Sequence, residues 1–162
     1  MSGPAPTPAS GPEPTRWLDE SEARAWRAFI TGSQRLTEVL NRELSDAHGI
    51  TIDDYRILVL LSESAHGALR MSDLADGIVA SRSRLTHQVR RLEAHGVVRR
   101  EVCPSDGRGV LAVLTEPGRS LLADIAPTHV AGVRKHLIDL LDPAEQALLA
   151  TVFTRIDEAL GR

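Results

Sequence analysis

The stretch from Arg82 to His95, RSRLTHQVRRLEAH, constrains this chain more than any other. Leu85, Val89 and Leu92 fall at i, i+4 and i+7, so on a helix they form one stripe that must be buried. The same period sets the opposite side. Arg84, His87, Arg90 and Arg91 point away from the stripe, and Ser83 and Thr86 stand at its flanks. Such donors suit phosphate oxygens and base edges. Taken alone, a basic face is as readily a solvated surface.

The neighbouring residues favour the sharper reading. Ser72 is placed to cap a short helix carrying Leu74, Ala75 and Ile78. After a tight Ala80-Ser81 connection, Ser81 caps the basic helix and Gly96 supplies a left-handed stop. Beyond it, Val97, Val98 and Val102, then Val110, Leu111, Val113 and Leu114, predict two short strands about the turn Pro104-Ser105-Asp106-Gly107. Two helices in succession followed by a hairpin with arginine at its turn make a helix-turn-helix plus wing, whose second helix fits a DNA major groove.

Charge agrees with this. Between Arg82 and Arg108 seven arginines (82, 84, 90, 91, 99, 100 and 108) face three acids, Glu93, Glu101 and Asp106, inside a chain of formal net charge −3. A positive segment in an acidic body lets one edge meet phosphate while the rest stays off it.

With 162 residues, 42% of them hydrophobic, the chain is long enough for one core. Residues 1–16 hold five of the nine prolines and hardly any large apolar side chain, and are expected to be a disordered tail. Residues 17–50 form a long first helix, starting near Asp19 and Glu22 at capping-box spacing, striped by Phe29, Leu36, Val39, Leu40 and Leu44, and ending around His48-Gly49. Trp17 is placed to pack over it. Residues 51–115 make the winged unit: Thr51 and Asp54 open a helix with Ile57, Leu58, Leu60 and Leu61, closed near His66-Gly67. Residues 116–162 complete the frame. Thr115 starts a helix that runs to about Leu141 with Pro127 as a possible kink, and Asp142-Pro143 with Glu145 starts the last one. The predicted class is mainly α with a small β-hairpin wing: a winged helix-turn-helix plus a helical dimerisation region.

The segment LADGIVASRSRLTHQVRRLEAHGVVRREVCPSDGRGVLAVLT, Leu74 to Thr115, resembles the MarR (multiple antibiotic resistance) regulators. It matches that family's recognition helix and its wing signature D-x-R, with Asp106, Arg108, Leu114 and Thr115 at the signature positions. The order of the outer helices extends the resemblance over about residues 19–160. The resemblance implies a homodimer with interlocked terminal helices reading a palindromic operator in double-stranded DNA. Repression is favoured over activation because a compact dimer seated over a promoter excludes polymerase without further contacts. The implied DNA contacts are Ser81, Ser83, Arg84, Thr86, His87, Arg90 and Arg91, with Arg108 in the minor groove and Asp106 orienting it. It also implies a small-molecule effector, for which Trp26, His48, Tyr55 and His66 are the candidate lining residues. Independently, the apolar faces of the long outer helices exceed what a small winged domain can cover.

Other chemistry finds little support. His48, His66, His87, His95, His129 and His136 show no ligand spacing, so no metal and no cofactor is expected. A zinc-sensing set built on His129, His136 and carboxylates is the weaker reading. Cys103, the single cysteine, falls at the wing, away from the first helix where the family's peroxide sensors carry theirs. There is no GxSxG, phosphate-cradling glycine loop or placeable Ser-His-Asp set, so no catalytic residues and no enzyme are expected. Lacking an apolar run of membrane length and a signal-peptide pattern, the chain is expected to be cytoplasmic with no membrane partner. The alternative function is a helical protein-interaction module that does not bind DNA.

Overall fold

The computed structural model describes residues 15–78, 81–103 and 109–161. Ala80, Asp106, Arg108, the wing turn and all of the expected tail except Thr15 and Arg16 lie outside the described residues. The chain divides into two compact units, Met1–Gln34 and Arg35–Arg162, with the division inside the first helix.

In the first unit, α1 (Glu20–His48) begins where the Asp19 and Glu22 side chains each accept from the other's backbone N–H, at 2.9 Å. Arg16 meets Glu22 at 3.4 Å. Trp26 and Phe29 lie with ring centroids 6.0 Å apart, both exposed. Trp17 is 83% exposed rather than packed over the helix, because it precedes the first helical turn.

The second unit starts with the remainder of α1, where Leu40 and Leu44 turn inward. The helix α2 (Ile52–Glu63) opens with the Thr51–Asp54 capping box and buries Ile57, Leu58 and Leu61. A turn at Ala65–Gly67 follows, in which His66 and Gly67 both take the left-handed conformation. It leads to a strand that the sequence pattern did not disclose, β1 (Ala68–Arg70), too short for alternation to register. The helix α3 (Met71–Gly77) starts one residue before Ser72. Arg70 holds the cap position, and Ser72 donates instead to Asp73 at 2.9 Å. Then come α4 (Arg82–Ala94), β2 (Val98–Val102) and β3 (Val110–Leu114).

The three strands form one antiparallel sheet in the order β1-β3-β2, with Leu69 opposite Ala112 and Arg100 opposite Ala112 on the other side. The sheet's inner end (Val98, Ala112, Leu114) closes a core filled by Leu44, Ile57, Leu58, Leu61, Leu74, Leu85, Val89 and Ile125. The outer end, with Val102 exposed, stands out from that core as the wing.

Thr115 ties the wing to the frame. Its hydroxyl donates to the Gly96 carbonyl at 2.7 Å and accepts from Gly118 N–H at 3.1 Å, so the exit of α4 and the start of α5 (Glu116–His136) share one side chain. This helix continues through Pro127 but stops at His136, short of Leu141. Leu137 leaves helical backbone angles, and a 3₁₀ turn at Ile138–Leu140 follows. The Gln146 amide satisfies the carbonyls of Ile138 and Leu141 at 3.2 and 3.1 Å, which stabilises that break. The last helix, α6 (Pro143–Leu160), carries the expected Asp142–Glu145 capping box, and none of its residues is buried.

Candidate DNA interface

The recognition candidate is α4. Ser81 caps it, its hydroxyl accepting from Arg84 N–H at 3.3 Å, and Gly96 at φ +72 ends it. Leu85, Val89 and Leu92 are buried as the period requires, and Gln88 joins them. The buried Gln88 was not legible, because an amide carries no hydrophobic signal.

On one flank, α2 anchors the helix. Asp54 is only 3% exposed. One of its oxygens, Oδ2, accepts from Thr51 N–H and Oγ in the capping box and also from Arg91 Nη2. That hydrogen bond pushes the Arg91 guanidinium further up. Next to it, Asp53 accepts from Arg84 Nη2 at 2.6 Å. Arg84 and Arg91 are seven residues apart, hence on one side of α4, and both meet the first turn of α2.

On the other flank, Thr86 donates to the Arg82 carbonyl at 2.7 Å. Glu93 accepts from Arg100 N–H at 3.1 Å and from its Nε at 2.8 Å, bonds that hold its carboxyl below the usual range. Between the flanks stand Ser83, His87 and Arg90. All three are exposed, and their side chains make no hydrogen bond or ion pair among the described residues. They repeat at i, i+4 and i+7 and so form the outward ridge opposite Leu85, Val89 and Leu92. The sequence groups Arg84 and Arg91 with this ridge, whereas the structure sets them at its edge with carboxylate partners.

A cleft of about 300 Å³ lies beside the start of α4. It is lined by Arg70, Ser72, Arg82 and Thr86 together with Gly109 and Val110 of the wing. Arg70 and Arg82 are absent from the sequence-derived set. Arg82 had a signal, since it directly follows the cap, but Arg70 becomes a neighbour only through β1.

The four candidate ligand residues are placed apart in character. Trp26 is exposed in the first unit. In the second, His48 Nε2 pairs with Thr128 Oγ1 at 2.8 Å, Tyr55 is buried against the His129 ring at 4.5 Å, and His66 is exposed on its turn. A second cleft, of about 650 Å³, lies between α1 and α5 and is lined by Glu43, Asp46, Ala47, Thr128, Ala131, Gly132 and Lys135, with none of the four in it. Beside it His136 Nε2 meets Glu43 at 2.8 Å, a contact that lowers the Glu43 carboxyl. Thus His129 and His136 serve different partners, and among the described residues no group of three or more His, Cys, Asp or Glu converges as a metal site would require. Cys103 is buried. Among the described residues no helix is long and apolar enough to cross a membrane.

Burial lowers the affinity of the His129 ring for a proton, and its Nδ1 is buried with no hydrogen-bond partner. The unfolded chain therefore binds a proton more readily than the folded one. Stability is complete above the unfolded histidine value of about 6.5 and falls as pH drops below it. Melting temperatures taken between pH 7.5 and 5 should fall for the native protein and fall less for H129F, which keeps the ring against Tyr55. Parallel curves would remove His129 from the acid response.

A helix-turn-helix whose second helix is buried along one stripe, followed by a β-hairpin on a helical frame, defines a winged helix-turn-helix protein. A sequence model of the MarR family matches residues 50–110. The structure is similar to AbsC, a MarR family transcriptional regulator from Streptomyces coelicolor, with 47% identity and a TM-score of 0.85 over 90% of this chain and 98% of that one. It is also similar to Sco3205 from the same organism, a MarR family regulator solved in complex with DNA, with 41% identity, a TM-score of 0.88 and coverage of 92% and 93%. The HTH-type transcriptional regulator MhqR of Bacillus subtilis is 28% identical over 139 residues, 86% of this chain and 93% of its own. The chain belongs to the MarR family, and it is a DNA-binding transcriptional regulator.

Proposed function

We propose that the protein is a homodimeric repressor that seats two copies of α4 in successive major grooves of a palindromic operator, roughly 34 Å apart. The observation that carries this reading is the outward ridge of Ser83, His87 and Arg90, held by a buried stripe directly behind it. Ser81, Thr86, Arg70 and Arg82 border the cleft or cap beside it and suit backbone phosphates, which position without specifying. Arg108, oriented by Asp106, is assigned to the minor groove by its wing-signature position. Repression follows from bulk: a compact dimer over a promoter excludes polymerase without further contacts.

The second copy is called for by α6, whose apolar residues Leu148, Val152, Phe153, Ile156 and Leu160 are all exposed in the single chain. A small effector completes the reading. The cleft between α1 and α5 has the volume of a small-molecule site, and a ligand there would wedge the two helices that join frame to winged domain.

The test is selection of bound duplexes from a genomic library, followed by affinity measurements on the enriched site. R90A should cost about 1–3 kcal/mol on that site and relax selectivity at one base position. Equal losses on enriched and random DNA would demote Arg90 to a phosphate contact. A protein with no affinity for any fragment in low salt would instead support an interaction module.

A further inference from the structure

We propose that Asp53 is a specificity-determining residue, bracing Arg84 so that its guanidinium meets a base edge in one orientation. This rests on α4 being the recognition helix. Arg84 is the third residue of α4, near the end from which helix-turn-helix proteins contact base edges. Its side chain is 67% exposed, with Nη2 held 2.6 Å from Asp53 Oδ2. One such contact engages one amino group of a rigid fork with five N–H donors, and the rest stay available. The bond therefore orders a long side chain before DNA arrives without occupying it. Pre-ordering of this kind lowers the entropy cost of reading a base.

The adjacent pair shows what Asp53 is not doing. Asp54 closes the capping box of α2 and holds Arg91 from a buried position, so it carries the structural attachment of α4. Asp53 takes no part in that box. A half-exposed pair such as Asp53–Arg84 adds little to stability, so its consequence falls on recognition. The alternative, that Asp53 competes with DNA for Arg84, predicts a different outcome.

The experiment uses the full chain as native protein, D53N, R84Q, D53N/R84Q and D53E. Each is titrated against a duplex enriched by the native protein and a random duplex of equal length. Under the bracing assignment D53N lowers the ratio of the two affinities about fivefold, while the melting temperature falls by no more than about 4 °C, the share of one carboxylate in the first turn of α2. D53N has no further effect on the ratio in the R84Q background, and D53E restores much of it. If D53N raises both affinities together and leaves the ratio intact, Asp53 is a competitor or a repelling charge and the proposal fails. Independent addition of D53N and R84Q would overturn it too. A native protein that cannot distinguish the two duplexes would overturn the reading of α4 itself, a failure visible before any variant is made.

Discussion

An L148E/I156E variant is expected to sediment as a monomer and to lose about a hundredfold or more of the affinity for a two-half-site operator. Leu148, Val152, Ile156 and Leu160 recur every four residues on α6, and Leu148 is 62% exposed. The helix is stabilised by its own chain at its start, through the Asp142–Glu145 box and the Gln146 amide, so it forms without help from the outward face. Two glutamates there leave the chain's own core intact while placing like charges where a second copy would pack. Joining two binding modules multiplies affinity by about 10²–10⁴ through effective concentration alone, and separating them removes that factor. Binding to a single half-site, made by one α4, should hardly change. Sedimentation of the variant as a dimer, or undiminished operator affinity, would show that α6 is not the pairing surface.

Much of the winged unit was legible because its signals are local and redundant. The cap at Ser81, the stripe Leu85-Val89-Leu92 and the stop at Gly96 all describe one helix, and each is visible within a few turns of the chain. The same holds for the boxes at Asp19–Glu22, Thr51–Asp54 and Asp142–Glu145, where side chain and backbone partners sit three residues apart. What escaped depends on partners distant in sequence. Strand β1 exists only because β3 supplies hydrogen bonds to three residues with no pattern of their own. Ser72 has the chemistry of a cap, but the cap of α3 falls two residues earlier, at Arg70.

The same distinction runs through the candidate site. Helical period alone sorts Arg84 and Arg91 with Arg90, since all three avoid the buried stripe. Only the first turn of α2, more than thirty residues upstream, separates them by offering Asp53 and Asp54. Tyr55 and His48, candidate lining residues under the family resemblance, each have a partner on α5, His129 and Thr128. A polar or aromatic residue facing another element is satisfied by that element first, and the sequence does not show which element that is.

A single methyl group at Gly118 should cost about as much stability as a moderate core truncation. A Cβ there would stand 2.1 Å from the Val97 carbonyl oxygen and 2.7 Å from Leu114 Cδ1. The side chain could swing aside, but the carbonyl cannot. Val97 follows the Gly96 turn and accepts from Thr115 N–H at 3.2 Å, while Thr115 holds the Gly96 carbonyl and Gly118 N–H at once. To admit the methyl, the end of α4 and the start of α5 must part, which strains all three hydrogen bonds. Overpacking against fixed backbone costs about 1–3 kcal/mol or somewhat more, and G118A should sit at the upper end, lowering the melting temperature by roughly 6–12 °C. Gly32 is the control, since it lies inside α1 with nothing within 4 Å of where a methyl would stand. There the same substitution improves helix propensity and restricts the unfolded chain, so G32A should stabilise by about 0.4–1 kcal/mol. Opposite signs for one chemical change would establish that the α4–α5 corner is packed to contact. Equal small shifts would show that it can open freely.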